Sequence, residues 1–324
     1  ELYDKIMFFS GYGFNKSHAV SYAIDSYYCA WLMTYFEEEW LCAYLEAMSG
    51  NDKKRAKAFG EVKALGYRVV PVDINYATKK WTILDGKKFM PSFLSCKGVG
   101  TAAIDEIVEN RPYSSIEDLL WTEEGKWKHS KFNKRALQNL IKVQAFDSLD
   151  AVGEGKVFEN YAQMHEVLIE NNANIKKWTK KDPNRGIRAF KESLVETQGM
   201  PEWSKRVMVT NSVEIMGSFN AGMLVPDELQ DKLADRGVHS IEEIDSYGKD
   251  LYWFVVTEVK TKLTKHKKPY LLLSVTGLSG GNYRVFCWGW NKEELIPEYS
   301  VCVAEVDKND FGCSTKQHKI KILN

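Results

Sequence analysis

The sequence predicts a multidomain α+β protein, with helices at the N-terminus, helix-hairpin-helix units in the middle and an all-β barrel at the C-terminus. Long helix-forming runs with capping residues occupy positions 17–66. A Gly-Val-Gly turn at 98–100 separates two helical segments. Over residues 246–324, several short apolar runs alternate with polar residues at a spacing typical of a small barrel. The 324 residues are enough for two or three domains.

Composition narrows the choice of partners. Lys plus Arg and Asp plus Glu each number 44, so the net charge is zero and any contact with nucleic acid must come from local patches. No apolar run reaches the roughly 18 residues that a membrane span needs, and neither end resembles a signal peptide. The six cysteines include no Cys-x-x-Cys pair, which argues against zinc and favours reduced thiols. We therefore expect a cytoplasmic protein with no membrane partner.

The most distinctive stretch is a turn rich in glycine and aromatic residues, at 11–24, with the sequence GYGFNKSHAVSYAI. Ser17 is predicted as the N-cap of the helix that follows, which places Lys16 just outside the helix start, where amide groups favour an anion. His18 and Tyr22 are four residues apart and share one helix face. A cation, an imidazole and an aromatic ring at a helix N-terminus suit a nucleotide. Such turns are common, however, and Tyr22 also fits an ordinary core position.

Further helices and a hairpin follow this stretch. Residues 17–48 predict two helices that break near three consecutive glutamates, and the aromatic residues crowded on the first predict that it is buried. Asn51 is predicted to cap the next helix, and Gly66 to end it. Residues 81–90 predict a hairpin whose Asp-Gly pair favours a two-residue type I′ turn. A basic cluster forms either a phosphate-contacting face or a solvated surface: Lys53, Lys54, Arg55 and Lys57.

The chain resembles a known family over this region. Residues 9–40 are similar to the end of the fingers domain in bacterial-type DNA polymerase III alpha subunits, the C-family replicative DNA polymerases, which carry a nearly identical GYGFNKSHAAAYA block. A GYRVVPVDIN-like segment and a short hairpin follow in the same order. The resemblance implies that the block borders the pocket for the incoming dNTP, with Tyr22 near the base and Lys16 and His18 near the sugar or triphosphate. The implied nucleotide-binding residues are Phe14, Lys16, His18 and Tyr22.

Residues 92–111 show a helix–Gly-Val-Gly–helix pattern, the arrangement of a helix-hairpin-helix motif. The two glycines make a tight turn whose unobstructed amides, together with the N-terminus of the next helix, can hold one backbone phosphate. Such a contact positions a protein on duplex DNA without reading its sequence. A hairpin that only packs against protein is the alternative. The predicted duplex-binding residues are Lys97, Gly98, Val99, Gly100 and Thr101.

Residues 132–149 resemble the second hairpin-helix copy of the same family. Asn133 is predicted to cap its helix, and Lys131, Lys134 and Arg135 give a basic approach to duplex DNA. Because this copy lacks a Gly-x-Gly turn, we expect it to serve packing more than phosphate binding.

Residues 151–245 are predicted to form a mostly helical adapter. A basic run with Trp178 and Phe190 offers either a phosphate track with stacked bases or a solvated loop. Family members often carry a QxxLF-type peptide here that binds the sliding clamp. Residues 163–168 match it too weakly to count, so the chain has no clear clamp motif.

The β-rich residues 246–324 resemble, in position and pattern, the OB-fold domain that follows the helix-hairpin-helix region in C-family alpha subunits. OB folds bind single strands through a basic groove and stacking aromatic rings. Strand alternation directs about half of such rings into the core, so the lysines near the first hairpin are the stronger candidates. The predicted residues for single-stranded DNA are Lys260, Lys262, Lys265, Lys267, Lys268, Tyr270, Tyr283, Phe286 and Trp288.

Polymerase chemistry needs carboxylates that hold two Mg²⁺ ions about 4 Å apart. C-family members place these on a DxD-like strand of the palm domain, and this sequence has no such strand. We therefore predict no catalytic or metal-binding residue in this chain, and expect Mg²⁺ in a palm that lies upstream or in a separate subunit. Because the chain begins with Glu1 rather than Met, we expect a piece of a longer protein or a processed product.

The predicted function is that of part of a C-family DNA polymerase, in which this chain completes the dNTP pocket and binds primer-template duplex and single-stranded template. Some loops are unlike those of typical bacterial members, which is compatible with a divergent viral or plasmid version. Two alternatives stay open: a non-enzymatic DNA-binding accessory protein built from the same modules, and an interaction protein without DNA affinity. The predicted units are the fingers end at 1–72, tandem helix-hairpin-helix at 73–150, adapter at 151–245 and OB fold at 246–324.

Overall fold

The computed structural model describes residues 2–323 with gaps at 11–15, 172–181, 218, 220, 279–280, 292, 294 and 310–311. Within these residues, twelve helices accompany a three-stranded and a seven-stranded sheet. The predicted α+β class is therefore confirmed. Among the described helices, none is both long and apolar enough to span a bilayer.

Four helices form the N-terminal region: α1 (Leu2–Ser10), α2 (Lys16–Tyr35), α3 (Glu37–Met48) and α4 (Asp52–Ala64). The break before α3 falls at the three glutamates, which stand in its first turn, where the helix dipole favours them. Asn51 caps α4 as predicted, since its Oδ1 accepts from the Lys54 amide at 3.1 Å. Gly66 follows α4 with a φ of 84°, and the Tyr67 amide donates back to the Val62 carbonyl at 3.2 Å. Caps made within a few residues thus set these ends.

Three expectations about this region are wrong. Helix α2 already includes Lys16 and Ser17, so Ser17 is not its N-cap and Lys16 does not lie outside its start. No described residue of α2 is buried, although aromatic residues crowd the helix. It packs against α3, and most of its surface faces solvent. Arg55 is buried and donates to the Ser49 carbonyl at 3.2 Å, so it does not belong to an exposed basic face.

A small sheet follows α4, with β1 (Arg68–Val69), β2 (Thr82–Leu84) and β3 (Lys88–Met90). The central strand β3 runs parallel to β1 and antiparallel to β2. The β2–β3 turn has three residues rather than the two of a type I′ turn, and both Gly86 and Lys87 have a positive φ. One core joins this sheet to α3 and α4: Leu41, Leu45, Ala58, Val62, Tyr67, Trp81 and Phe89.

Six helices form the middle region: α5 (Thr101–Glu109), α6 (Ile116–Leu120), α7 (Lys134–Lys142), α8 (Tyr161–His165), α9 (Pro183–Glu196) and α10 (Lys205–Met216). A π-helical turn, Glu166–Asn171, continues α8. Asn133 caps α7 as predicted, because its Oδ1 accepts from the Ala136 amide at 3.1 Å. One hydrophobic core extends from Val72 to Met216. Residues 151–216 therefore pack with segment 73–150 in one core.

Two candidate interaction segments of the middle region are buried in this core. Phe190 packs edge-on against Trp121 and Phe158, so it is not available to stack on a base. Trp178, its predicted companion, lies outside the described residues. Most of segment 163–168, the weak clamp-like match, is buried as well. Neither Phe190 nor that segment presents a surface for a partner.

The C-terminal region consists of α11 (Asp227–Ala234), β4 (His239–Ser240), α12 (Ile244–Tyr247), β5 (Asp250–Leu263), β6 (Pro269–Thr276), β7 (Tyr283–Trp288), β8 (Val301–Asn309), β9 (Gly312–Lys316) and β10 (Ile320–Leu323). The strand order β5–β6–β7–β9–β8 closes on itself because β8 also pairs with β5. Strands β7 and β9 are parallel, and the other pairs of this ring are antiparallel. The predicted small barrel is therefore present, and its closed five-stranded order is consistent with an OB-like region. Strand β9 was not among the runs predicted as strands.

Alternation along the strands separates the barrel interior from its outer surface. Phe254, Leu271 and Val285 point into the barrel and are fully buried. On the outside of β5, Trp253 and Val255 belong to a second cluster, formed with the segment around α11. The barrel therefore carries α11 on one side of its outer surface.

Candidate nucleic-acid interface

The first hairpin, residues 97–100, contains a glycine with a left-handed backbone conformation. Gly98 has a φ of 84°, which favours glycine. A Cβ added there would lie 2.8 Å from Asn139 Nδ2 and 2.9 Å from Arg135 Nε, both on α7. Val99 is buried and anchors the turn in the core. The left-handed backbone and the nearby side chains of α7 both favour glycine at position 98.

Helices α7 and α10 both form hydrogen bonds to the backbone of the first hairpin. The Lys97 amide donates to the Ile215 carbonyl of α10 at 3.0 Å. The Lys97 carbonyl accepts from Asn139 Nδ2 of α7 at 2.5 Å. These contacts fix the hairpin backbone against helices that lie 42 and 118 residues further along the chain.

Helix α5 begins directly after the first hairpin and presents free donors there. Gly100 is its N-cap residue, with φ of −84° and ψ of 159°. Within the described part of the chain, the amides of Gly100, Thr101 and Ala102 donate to no protein acceptor. A Cβ at Gly100 would meet no atom within 4 Å. Partnerless amides at a helix N-terminus that opens onto free space are the arrangement that binds phosphate.

A cleft of about 750 Å³ lies beside the first hairpin, and we call it the basic cleft. Four cationic side chains and one carboxylate contribute to its walls, so its net charge is positive although the whole chain is neutral. Lys134, Gln138 and Lys142 follow one another at four-residue intervals and form a row along α7. The lining residues are Lys97, Lys134, Arg135, Gln138, Asn139, Lys142, Glu214 and Ile215.

The structure thus brings three of the predicted duplex-binding cations, Lys97, Lys134 and Arg135, to one cleft next to the glycine turn. Lys131 is exposed on the second hairpin and does not line this cleft. Sequence reasoning missed Lys142, which the four-residue spacing on the amphipathic helix α7 could have revealed. It also missed Asn139, whose role depends on a contact with a loop 42 residues earlier.

The second hairpin, residues 130–133, already has its amides occupied. The amides of Ser130, Lys131 and Phe132 donate to the carboxylate of Glu106 on α5, at 2.6, 2.8 and 2.6 Å. The Ser130 hydroxyl donates to the same carboxylate at 2.9 Å. Burial raises the pKa of Glu106, but these hydrogen bonds lower it more, to about 2. This hairpin therefore packs on α5, as expected from its lack of a Gly-x-Gly turn.

Three rings cluster on the outer surface of β6 and β7, and we call this surface the aromatic face. The ring centroids of Tyr270 and Trp288 are 4.7 Å apart, and those of Phe286 and Trp288 are 5.6 Å apart with nearly parallel planes. Trp288 is 39% exposed. Tyr283, the fourth predicted aromatic, packs instead against the barrel core. It shares the inward alternation of Val285 and does not belong to the aromatic face.

Cations flank the aromatic face on both sides. Lys262 of β5 pairs with Tyr270, Tyr270 with Trp288, and Trp288 with Lys316 of β9. These pairs place a lysine at each end of one row across the sheet. Arg284 shares the outward alternation of Phe286 and adds a third charge. Sequence reasoning missed Lys316 because β9 was not predicted as a strand.

The remaining predicted lysines lie along the same hairpin. Lys260 precedes Lys262 by two residues on the same face of β5. It forms an ion pair with Glu258, with Nζ 2.7 Å from Oε1. Lys265, Lys267 and Lys268 are exposed in the β5–β6 turn. The Thr264 amide closes this turn on the Lys268 carbonyl at 2.9 Å. The lysines therefore continue from the edge of the aromatic face to the tip of the hairpin.

The opening motif is only partly within the described residues. Lys16, His18 and Tyr22 lie on the exposed first turns of α2, and the rings of His18 and Tyr22 are 4.5 Å apart, edge to face. Phe14 lies outside the described residues. Tyr22 is 62% exposed. Further along α2, an apolar surface is also exposed: Tyr27, Tyr28, Trp31, Leu32 and Tyr35.

Residues 66–153 match a family described as the helix-hairpin-helix motif. This part of the chain, with its glycine turn and two capped helices, is therefore a helix-hairpin-helix domain. It contains both hairpins and most of the residues that line the basic cleft.

Comparison with known proteins identifies relatives that match this chain in whole or in part. It is 26% identical to the DNA polymerase III subunit alpha of Chlamydia pneumoniae over all of this chain and 27% of that protein. The corresponding subunit of Campylobacter jejuni is 34% identical over 51% of this chain and 14% of that protein, and that of Borreliella burgdorferi 33% over 54% and 15%. The resemblance found in the sequence is thus confirmed: the chain is related to the C-terminal part of DNA polymerase III alpha subunits. It spans about a quarter or less of the length of these relatives.

Proposed function

We propose that this chain is the DNA-binding part of a DNA polymerase of the III alpha type. It grips primer-template duplex at the first hairpin and guides single-stranded template over the barrel. The names of its relatives support a polymerase component. One observation carries the proposal: among the described residues, the partnerless amides of 100–102 open beside a cleft lined by four cationic side chains. A helix N-terminus and a basic cleft together match the charge and hydrogen-bonding needs of a phosphate backbone.

The first hairpin and the basic cleft bind successive phosphates of one DNA strand. The amides of residues 100–102 hold one phosphate, and the row from Lys134 to Lys142 extends about 12 Å along α7, far enough to attract further phosphates. These contacts read no bases. Such a grip suits a polymerase, which must hold whatever sequence it has just copied.

The aromatic face serves the single-stranded template. Unpaired bases stack on exposed rings regardless of sequence, and nearby cations attract the backbone. Trp288 and Tyr270 offer ring surface in the middle of the row, and Lys262 and Lys316 stand at its ends. The lysine-rich β5–β6 turn extends the positive surface beyond the barrel edge.

The opening motif forms one wall of the pocket for the incoming dNTP, and the rest of the polymerase supplies the others. In this proposal Tyr22 stacks on the base, Lys16 and His18 face the sugar and triphosphate, and the palm covers the exposed aromatic surface of α2. The palm would also hold Mg²⁺. Among the described residues of this chain, no three His, Cys, Asp or Glu side chains gather as metal ligands.

Titration of labelled DNA at several salt concentrations tests the proposal. For the full chain, log affinity for primer-template should fall linearly with log salt, by about 0.9 per phosphate contacted. The double variant Lys134→Glu, Lys142→Glu should bind more weakly and reduce that slope by about 2. Lys232→Glu, on exposed α11, makes the same kind of charge change away from the cleft and serves as the control.

Each alternative gives a different result. An interaction protein without DNA affinity would show no binding even at low salt. An accessory protein would bind DNA, but adding it to a chain that carries the palm would not alter primer extension. Under our proposal, the complete polymerase extends a primer, and the cleft variant lowers extension at moderate salt more than at low salt.

A further inference from the structure

The second hairpin holds an anion that belongs to the protein itself. The carboxylate of Glu106 accepts three consecutive amides, of Ser130, Lys131 and Phe132, and the Ser130 hydroxyl, all within 2.9 Å. Its side chain is only 16% exposed. Three converging amides are more than packing alone requires, and they are the donors that a phosphate would otherwise take.

The two hairpins differ in occupancy and in the position of their amides. Those of the first belong to the N-cap and first residues of α5, and those of the second precede Asn133, the N-cap of α7. Each presents backbone amides just before or at the start of a helix, α5 in the first and α7 in the second. At the first hairpin, in the described part of the chain, the amides of residues 100–102 have no protein acceptor. At the second, the acceptor is Glu106, which projects from α5, the helix that starts at the first hairpin.

We infer that Glu106 is a built-in substitute for a DNA phosphate, which closes the second hairpin to DNA and fixes α7 against α5. With α7 held in place, Arg135 and Asn139 stay beside Gly98, and the basic cleft keeps its shape. The tandem domain then grips one backbone through one hairpin instead of two. The DNA part of this inference rests on the proposed function, whereas the anion part stands without it.

Removal of the carboxylate should turn the second hairpin into an anion site. Glu106→Ala empties the position, and Glu106→Gln keeps its size but removes the charge. Glu109→Ala is the matched control, because Glu109 is an exposed carboxylate three residues along the same helix. We expect Glu106→Ala to melt at a lower temperature than the wild-type chain, and sodium sulfate to restore part of the loss in a saturable way.

Sulfate also stabilises proteins by exclusion from their surfaces, without saturation, so the comparison with Glu109→Ala and sodium chloride at equal ionic strength is essential. An equal, unsaturable shift for wild type, Glu106→Ala and Glu109→Ala would overturn the inference. If Glu106→Ala does not fold, the sulfate comparison is made with Glu106→Gln, and a measurement on the wild-type chain also tests the inference. In an NMR titration of the wild-type side-chain carboxyls, the pKa of Glu106 must lie well below the ordinary value of 4.5, and a midpoint near 4.5 would also overturn the inference.

The slope of duplex affinity against salt tests the DNA part. Opening the second hairpin should add one phosphate contact, so Glu106→Ala should steepen the slope by about 0.9 relative to Glu109→Ala, which loses the same charge. Identical slopes for the two variants would show that DNA does not reach the second hairpin. If the wild-type chain binds no duplex, the proposed function fails, and the sulfate experiment still settles the role of Glu106.

Discussion

Gly100→Val separates folding of the first hairpin from its contact with DNA. Gly100 has an extended conformation, with φ of −84° and ψ of 159°, which β-branched residues readily adopt. A Cβ added there meets no atom within 4 Å. The free energy of unfolding should therefore change by less than about 0.5 kcal/mol. A phosphate held by the amides of residues 100–102 would meet the new methyl groups, so duplex affinity should fall about tenfold or more, equivalent to about 1.4 kcal/mol.

Fluorescence anisotropy with a labelled primer-template measures that affinity, and urea unfolding measures the stability of the same sample. Gly98→Ala is the contrasting variant. Its φ of 84° and the 2.8 Å approach to Asn139 Nδ2 predict a loss of about 1 kcal/mol or more in unfolding free energy. A Gly100→Val chain that is as stable as wild type and binds duplex within about twofold of it would refute phosphate binding at this turn.

Four further predictions test other parts of the molecule. Trp288→Ala should weaken binding of a single-stranded oligonucleotide by about 1–3 kcal/mol and leave duplex affinity unchanged, and equal losses on both would contradict a separate single-strand surface. In a complete polymerase, Tyr22→Ala should raise the KM for dNTP more than it weakens DNA binding, and the opposite order in steady-state kinetics would exclude base stacking. Burial raises the pKa of Glu106, but amide hydrogen bonds outweigh it and lower the pKa from 4.5 to about 2 in the folded chain. The ionised carboxylate therefore stabilises the fold by about 3 kcal/mol above pH 4.5, and this stabilisation is lost as the pH falls towards 2. Glu106→Gln should flatten the pH dependence of urea unfolding in that window, and an unchanged profile would assign it to other groups. Lys142→Glu should reduce the salt slope of duplex binding by about 1, whereas Lys232→Glu should not.

Features that arise within a few residues of sequence could be predicted. Asn51 and Asn133 cap their helices because each reaches an amide three residues ahead. The turn at Gly98 was recognisable because a Gly-Val-Gly sequence between helical runs needs a left-handed residue. Lys134 and Arg135 were found as candidates because they follow the capping residue directly.

The burial of α2 could not be predicted, and the expectation was wrong. Its aromatic residues indicate a surface that is covered, but they do not say by what. Tyr22 and Tyr27 are 62% and 65% exposed, since α3 covers only part of the helix within the described chain. A hydrophobic surface of this kind is typical of an interface with another protein element.

The face on which the barrel lysines lie depends on a β-bulge. Tyr252, Phe254 and Val256 point into the core, and strict alternation would send Lys260 the same way. The register of β5 against β6 shifts between Val256 and Glu258, which turns the following even-numbered residues outward. The sequence of β5 carries no Gly or Pro that would mark this shift.

Chain-local chemistry was enough to predict the order of helices, glycine turn and β-rich barrel, and the resemblance of the GYGFNKSHAVSYAI block to a known family suggested the relatives that the comparisons then supported. Folding in three dimensions settled which groups are available to a ligand. Glu106 reaches amides 24 to 26 residues away and fills the second hairpin, while the first stays open. Trp288 and Tyr283 are both aromatic residues of β7, yet only Trp288 joins the aromatic face. The reason is physical: caps and turns depend on neighbours in sequence, whereas occupancy and exposure depend on contacts between distant segments, which exist only after the chain has packed.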